Sequence, residues 1–117
     1  MSQAKLITVV EVPPFPGQAD SVWSNEERHR FIDFIARNPL AGDEIPGTGG
    51  LRKVRWNRQG MGKRSGVRVV YFFYNDTAPV FLFTVYAKGK QTDLSTDEKK
   101  KMTELARILK VKIRIGR

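Results

Sequence analysis

The spacing of hydrophobic and polar residues changes along the chain and marks the candidate elements. Residues 6–12, LITVVEV, are rich in β-branched side chains, which is typical of a strand. The prolines of PPFPG (13–17) end this strand, because proline has no amide hydrogen for a strand ladder. Three further strands are predicted at 51–56, 66–74 and 79–88. A hairpin turn joins the last two.

Two helices are predicted from capping signals followed by apolar residues at helical spacing. Ser24 and Glu27 form a Ser-x-x-Glu capping box, and a helix should follow to about Arg37. Ser95 and Glu98 form a second capping box. The helix after it has one apolar face, made of Met102, Leu105, Ala106 and Leu109.

The tail 110–117 alternates apolar and basic residues, a pattern that fits either a continued helix or a short edge strand. The element order β-α-β-β-β-α predicts an α+β fold, a small and mostly antiparallel sheet with helices packed on one side. A chain of 117 residues can bury one core but not two, so we expect a single domain over 1–117.

Side-chain alternation along the strands predicts which residues share a face. On the last strand an apolar row should face the helices, and its members are Phe81, Phe83, Val85 and Ala87. The opposite face would then collect basic side chains and one tyrosine, namely Lys53, Arg55, Arg68, Tyr86 and Lys88. The glycine-rich loop 57–66 should add basic residues at the rim of this face.

Positive charge is concentrated in the middle of the chain. The formal net charge is +9; residues 51–90 contain nine basic residues and one acidic residue. Residues 1–50 contain four basic and seven acidic residues instead. A focused basic patch is typical of a surface that binds a polyanion such as a nucleic acid.

Several kinds of site are excluded by residue type. The chain has no cysteine and one histidine, His29, so no metal-ligand constellation or cofactor site is expected. No acidic pair is predicted on the basic face, which leaves two-metal nuclease chemistry without ligands. No apolar stretch is long enough to span a bilayer, and the absence of cysteine fits a reducing compartment. We therefore expect a cytoplasmic protein with no membrane contact.

Four segments carry a resemblance to a known family, and they are GTGGLRKVRW (47–56), GMGKRSG (60–66), VRVVYFFY (67–74) and FTVYAKGKQTDLS (83–95). Together they resemble the RelE/ParE superfamily of bacterial toxins, most closely its HigB branch. The resemblance implies a cytoplasmic toxin of a type II toxin–antitoxin system that cleaves mRNA on the translating ribosome. It also implies a cognate antitoxin, usually a HigA-like helix-turn-helix protein.

The resemblance assigns roles to individual residues. The basic residues of the family's active site match, in chain order, Lys53, Arg55, Arg68 and Lys88. The family's late catalytic tyrosine has no clear equivalent, since Leu94 occupies that approximate place. Tyr86 is a possible substitute. Outside the catalytic set, the residues expected to hold RNA backbone are Arg58, Lys63, Arg64 and Lys90.

These residues can assist attack of an RNA 2′-hydroxyl on the adjacent phosphate. Lys53 lies among like charges, which disfavour its protonated form, so a neutral fraction could act as general base. Arg68 stays charged and is better suited to clamp the phosphate. Lys88 could share that clamp or protonate the leaving oxygen. Two other functions fit the same charge pattern, a ParE-type inhibitor of DNA gyrase and a non-catalytic RNA-binding domain.

Overall fold

The computed structural model describes residues 6–57, 66–87 and 94–116. In these residues the strands are β1 (Val9–Glu11), β2 (Asp43–Glu44), β3 (Leu51–Trp56), β4 (Val67–Phe72) and β5 (Val80–Ala87). The helices are α1 (Phe15–Val22), α2 (Asn25–Arg37) and α3 (Thr96–Ile115). The described strands form one sheet in the order β1-β5-β4-β3-β2. Only the β1–β5 pair in it is parallel, which confirms an α+β fold with a mostly antiparallel sheet.

Helix α1 lies where the sequence predicted only the end of a strand. Pro16 is in its first turn, where a backbone amide has no helical partner and proline therefore costs nothing. Phe15 and Ala19, one helical turn apart, are fully buried. Gln18 accepts a hydrogen bond from the amide of Val85 at 3.0 Å, so α1 also lies along the edge of β5 beyond β1.

Helix α2 begins and ends as its sequence signals predict. The hydroxyl of Ser24 accepts a hydrogen bond from the amide of Glu27 at 3.1 Å, and the helix ends at Arg37. The Glu27 carboxylate accepts a hydrogen bond from the indole Nε1 of Trp56 on β3 at 2.9 Å. The Trp56 ring packs edge-on against Phe31, 5.4 Å between ring centroids. Trp56 is therefore a packing residue.

The main core lies between the sheet and the pair α1 and α2. Its central buried side chains are Phe15, Phe31, Ile35, Val67, Val69, Tyr71, Leu82 and Val85. The hydroxyl of Tyr71 donates to the carbonyl of Pro39 and accepts from the amide of Gly42, both at 2.8 Å. A side chain at Gly42 would lie 2.9 Å from the Tyr71 ring, so this position requires glycine.

The connector before β3 contains a short strand that the sequence did not predict. β2 pairs antiparallel with β3, and the GTGG segment forms the turn between them. The hydroxyl of Thr48 donates to the carbonyl of Ile45 at 2.6 Å and accepts from the amide of Leu51 at 3.2 Å. Gly49 has a φ of +74°, which side-chain-bearing residues rarely adopt. GTGG is thus a turn.

Helix α3 packs on the face opposite to α1 and α2, which corrects the expectation that all helices lie on one side. It covers a second apolar cluster centred on Leu51, Phe72 and Phe83, to which Ala106 contributes from the helix. These residues occupy one end of the sheet face whose other end is basic. The face is therefore divided along the strands, with an apolar part under α3 and a charged part beside it.

A β-bulge explains why simple alternation failed on β5. Val70 pairs with Thr84, whereas its neighbour Tyr71 pairs with Leu82, so Phe83 is an extra residue on β5. A bulge of this kind shifts the alternation of side chains by one position. As a result Phe83 packs under α3 while Val85 belongs to the core beneath α1 and α2. The predicted apolar row is split between the two faces.

The C-terminal tail continues α3 as far as Ile115. Ser95 caps the helix with a complete capping box, since its hydroxyl accepts from the Glu98 amide and the Glu98 side chain accepts from the Ser95 amide. Ile113 packs against the second apolar cluster. No helix in the described parts of the chain is both long and apolar enough to cross a membrane.

Candidate nucleic-acid interface

Three of the predicted site residues lie side by side across the sheet. Arg55 on β3 is paired with Arg68 on β4, and Arg68 is paired with Tyr86 on β5. Directly paired residues have Cβ atoms about 4.5–5.5 Å apart and point to the same face. We call Arg55, Arg68 and Tyr86 the basic row. Lys53 lies two residues before Arg55 on the same face, paired with Val70.

Arg68 occupies the centre of the basic row and has an unusual environment. Its side chain is half-buried, with Arg55 exposed on one side and Tyr86 only 8% exposed on the other. The Nη1 atom of Arg68 is buried, and no residue in the described ranges accepts a hydrogen bond from it. Buried polar atoms nearly always have a partner. Arg68 therefore has a donor without an acceptor among the described residues, and a turn of its side chain would present that donor to an external acceptor such as a phosphate oxygen.

The pairing of Arg55 with Arg68 places two positive charges directly opposite each other. Like charges in this position destabilise a sheet, and arginine cannot relieve the repulsion by losing a proton. An anion bound between the two guanidinium groups would neutralise both, with the planar donor geometry that suits phosphate. The arrangement thus favours binding of a negatively charged group over stability of the unoccupied fold.

The neighbouring strand β2 adds carboxylates that sequence reasoning missed. Asp43 is paired with Lys53, and Glu44 is paired with Arg52. The only signal in the sequence is an acidic pair ahead of the GTGG turn, which would be opposite β3 if the turn closed a hairpin. The interpretation of Lys53 as a general base considered only the positive charges around it. In the structure a carboxylate is also its cross-strand neighbour.

Lys53 also lines a groove of about 290 Å³ between β2 and the start of α3. The other lining residues are Asp43, Glu44, Ile45, Pro46, Leu94 and Lys99. Leu94, which stands near the place of the family's late tyrosine, therefore lies beside Lys53. A leucine side chain has no proton to exchange, so this wall of the groove can shape a substrate but cannot take part in acid–base chemistry.

A comparison with protein families identifies the relationship. A model described as the RelE toxin of the RelE / RelB toxin-antitoxin system matches residues 43–114. The chain belongs to the RelE toxin family. The match begins at the first residue of β2 and ends within α3, so it includes Lys53 and the whole basic row. Membership makes the chain a toxin of a toxin–antitoxin system and makes an antitoxin its partner.

The remaining predicted site residues of this RelE-family toxin lie outside the described ranges. They are Arg58, Lys63, Arg64, Lys88 and Lys90. Their roles in catalysis and RNA binding stay predictions. The structure therefore brings together the part of the predicted site that lies on β3, β4 and β5.

Two further observations concern groups away from the basic row. His29 is exposed on α2 and lines a shallow groove of about 550 Å³ together with Glu11 and Arg28. Within residues 6–57, 66–87 and 94–116, no group of three or more His, Cys, Asp or Glu side chains could hold a metal ion.

Proposed function

We propose that this toxin is an endoribonuclease that cleaves mRNA on the ribosome with a cluster of lysine and arginine side chains, and so stops translation. The observation that carries the proposal is the basic row, in which Arg68 holds a buried, unpartnered Nη1 among the described residues. RNA supplies the phosphate that this donor can bind. DNA supplies phosphate too, but lacks the 2′-hydroxyl that the proposed reaction needs.

In the proposed reaction the 2′-oxygen of one nucleotide attacks the adjacent phosphorus and the bond to the 5′-oxygen breaks. The 2′-hydroxyl loses its proton and the departing 5′-oxygen gains one, so no further reactant is required. Arg68 and Arg55 stabilise the negative charge that accumulates on the phosphate oxygens in the transition state. Lys53 is the candidate for proton removal, and Lys88 shares the clamp or protonates the leaving oxygen.

Tyr86 is the remaining member of the basic row, and two roles fit its place. Its ring lies beside Arg68 but is only 8% exposed, so stacking on a base of the bound RNA would require the ring to turn outward. Alternatively, the Tyr86 hydroxyl can transfer the proton that the family's late catalytic tyrosine would transfer. Leu94, which occupies that tyrosine's approximate place, cannot do so. A comparison of Tyr86→Phe with Tyr86→Ala separates these roles, because only the second substitution removes the ring.

Dependence on the ribosome is supported by the weak acid–base equipment of the site. Lysine and arginine are poor general bases near neutral pH, so the rate must depend on holding the RNA near in-line geometry. Correct positioning of reacting groups can contribute about 7–11 kcal/mol. Message gripped in the ribosomal decoding site would meet this requirement. The loop residues Arg58, Lys63 and Arg64, with Lys90, would then bind ribosomal RNA.

The test compares one message in two states, naked and in a stalled initiation complex, with cleavage mapped from new RNA 5′ ends. We expect cleavage of the ribosome-bound message and little of the naked one, with Arg68→Ala as the inactive control. Equal cleavage of both would contradict ribosome dependence. DNA damage signals on expression, without new RNA ends, would instead indicate a ParE-type gyrase inhibitor. RNA binding without any cleavage would indicate a non-catalytic domain.

The proposal extends to partners and location. The motif series from GTGG to YAK supports a HigB-like toxin, whose antitoxin would be a HigA-like helix-turn-helix protein. Action on ribosomes places the toxin in the cytoplasm. The single toxin domain over residues 1–117 includes α1 and α2, which precede the matched region but form the main core with its strands.

A further inference from the structure

Helix α3 has a second apolar stripe, on the side away from the sheet. Ile108, Val111 and Ile115 recur at positions i, i+3 and i+7 and are 39%, 41% and 74% exposed. A helix turns by about 100° per residue, so these three side chains project within about 60° of one another. The residues that pack on the sheet, such as Ala106 and Leu109, point to roughly the opposite side. We call Ile108, Val111 and Ile115 the outer stripe.

Beyond Glu104 the charges around the outer stripe are all positive; Glu104 itself lies one turn before Ile108 and pairs with Arg107 at 2.6 Å. From residue 107 onward the charged side chains of α3 are Arg107, Lys110, Lys112 and Arg114. Lys112 lies on one side of the stripe, and Arg107 and Arg114 lie on the other. Among the described residues no ion pair involves Lys112 or Arg114. The first half of the helix differs, because it mixes acidic and basic side chains.

An exposed apolar group rimmed by charges is typical of a docking surface. Three β-branched side chains are exposed to solvent here, one or two turns apart. Most other exposed positions of the same helix are polar. The partner that fits has apolar side chains at helical spacing to meet the outer stripe. It also has carboxylates to meet the basic rim.

We propose that the outer stripe binds an acidic amphipathic helix of the antitoxin. The inference rests on membership in a toxin–antitoxin family, which supplies the partner but not its binding place. The stripe is about 10 Å long, which matches two turns of a docked helix. Such helix-on-apolar-face recognition uses anchors at i, i+3 or i+4, and i+7, the spacing that the toxin itself presents. Carboxylates of the antitoxin would pair with Lys112 and Arg114.

Charge decides against other occupants. A second copy of the toxin would bring the same basic rim against itself, and like charges across an interface are costly. The segments outside the described residues carry net charges of +1 for 1–5, +3 for 58–65 and +1 for 88–93 in the sequence, and Arg117 adds a further +1. They offer no complement to the rim either. RNA would meet the basic rim, but its phosphates gain nothing from three exposed aliphatic side chains.

The test measures the affinity of the toxin for the purified product of the adjacent antitoxin gene by calorimetry. All toxins carry Arg68→Ala, which permits expression and leaves α3 unchanged. Adding Ile108→Asp with Val111→Asp should lower the affinity about 100-fold or more, because two central anchors are lost and the new charges oppose the antitoxin's carboxylates. The control is Lys100→Asp, which changes the net charge equally about two turns before the stripe. It should have little effect.

A second measurement does not depend on a variant that folds. Hydrogen exchange on the unsubstituted complex should show that the amides of residues 107–115 gain protection relative to the free toxin. An unweakened affinity in a folded double variant, or no gain in protection, would overturn the proposal. A free toxin that is dimeric, with a double variant that is monomeric, would also overturn it, because the stripe would then bind a second copy of the toxin.

A cleavage assay distinguishes failure of this docking proposal from failure of the proposed nuclease activity. With Arg68 restored, the double variant should cleave ribosome-bound message like the unsubstituted toxin. Loss of cleavage with unchanged antitoxin affinity would assign the outer stripe to the ribosome and overturn the docking proposal. Failure of the unsubstituted toxin to cleave any message would contradict the nuclease and leave the antitoxin measurement unaffected.

Discussion

Arg28 and Arg68 are both half-buried arginines, but their surroundings are opposite. Arg28 donates from Nε and Nη2 to the Glu11 carboxylate at 2.9 and 2.7 Å and from Nη1 to Asp20 at 2.8 Å. These carboxylates, Glu11 foremost, raise the pKa of Arg28 above its usual value. Arg68 has Arg55 and Tyr86 as cross-strand neighbours, and its buried Nη1 has no acceptor among the described residues.

The contrast separates an arginine held in an ion-pair cluster from one that we propose binds phosphate. Arg28 joins β1, α1 and α2, and each of its partners is a carboxylate placed by one of those elements. A fold that needed Arg68 for stability could have placed a carboxylate at position 55 or 86 instead. It places a second arginine and a tyrosine there, at a cost to the sheet. Strain of this kind is expected at a binding or catalytic site.

Replacement of Arg68 should have the largest effect, and on activity alone. Arg68→Ala should lower cleavage of ribosome-bound message about 10²–10³-fold, because one donor to the developing negative charge is lost. Its thermal midpoint should stay equal or rise slightly, since the repulsion with Arg55 disappears. Single-turnover cleavage and a thermal melt of the same preparation measure both. Full activity in this variant would remove Arg68 from the mechanism.

Replacement of Arg28 should reverse this pattern. Arg28→Ala leaves Glu11, whose side chain is 22% exposed, without either of its charged donors. The free energy of unfolding should fall by about 1.5–3 kcal/mol, the range for hydrogen bonds to charged groups. Cleavage per folded molecule should not change. Denaturant titration gives the first quantity, and a loss of specific activity without loss of stability would contradict the structural role.

The uncharged hydrogen bonds of the Tyr71 hydroxyl, beneath α1 and α2, should contribute less to the free energy of unfolding than the Arg28 cluster. Tyr71→Phe removes the hydroxyl that bonds Pro39 and Gly42, and should cost about 0.5–1.5 kcal/mol. Burial raises the pKa of Tyr71 above its usual value of 10.0. The unfolded chain therefore loses this proton first, and stability should fall as the pH rises above about 10. That alkaline loss should be smaller in the phenylalanine variant, as denaturation at pH 9 and 11 would show.

The smallest effect is expected where a carboxylate is present but exposed. Arg37 pairs with Asp33 at 3.4 Å, with side chains 49% and 63% exposed. Arg37→Ala should change the free energy of unfolding by less than about 0.5 kcal/mol, because water and salt screen such pairs. The same titration that measures Arg28→Ala provides the comparison. Equal losses would mean that burial and bidentate geometry do not explain the stability of the Arg28 cluster.

The sequence alone was sufficient for features that depend on neighbouring residues. Capping at Ser24 and Ser95 located the starts of α2 and α3, because a cap needs only the following turn. Alternation along β3 and β4 placed Arg55 and Arg68 on one face, since side-chain direction in a regular strand follows from position. The candidate phosphate site was therefore largely visible before the fold was known.

Tertiary structure decided the features that depend on pairing between distant segments. The bulge at Phe83 placed this residue on the basic side of the sheet, under α3, and the hairpin of β2 with β3 brought Asp43 beside Lys53. The first turn of α1 tolerated a proline that ordinarily marks the end of an element. Strand register and the face that a helix covers depend on which apolar surfaces are buried against each other in the folded chain. The local spacing of residues does not determine this.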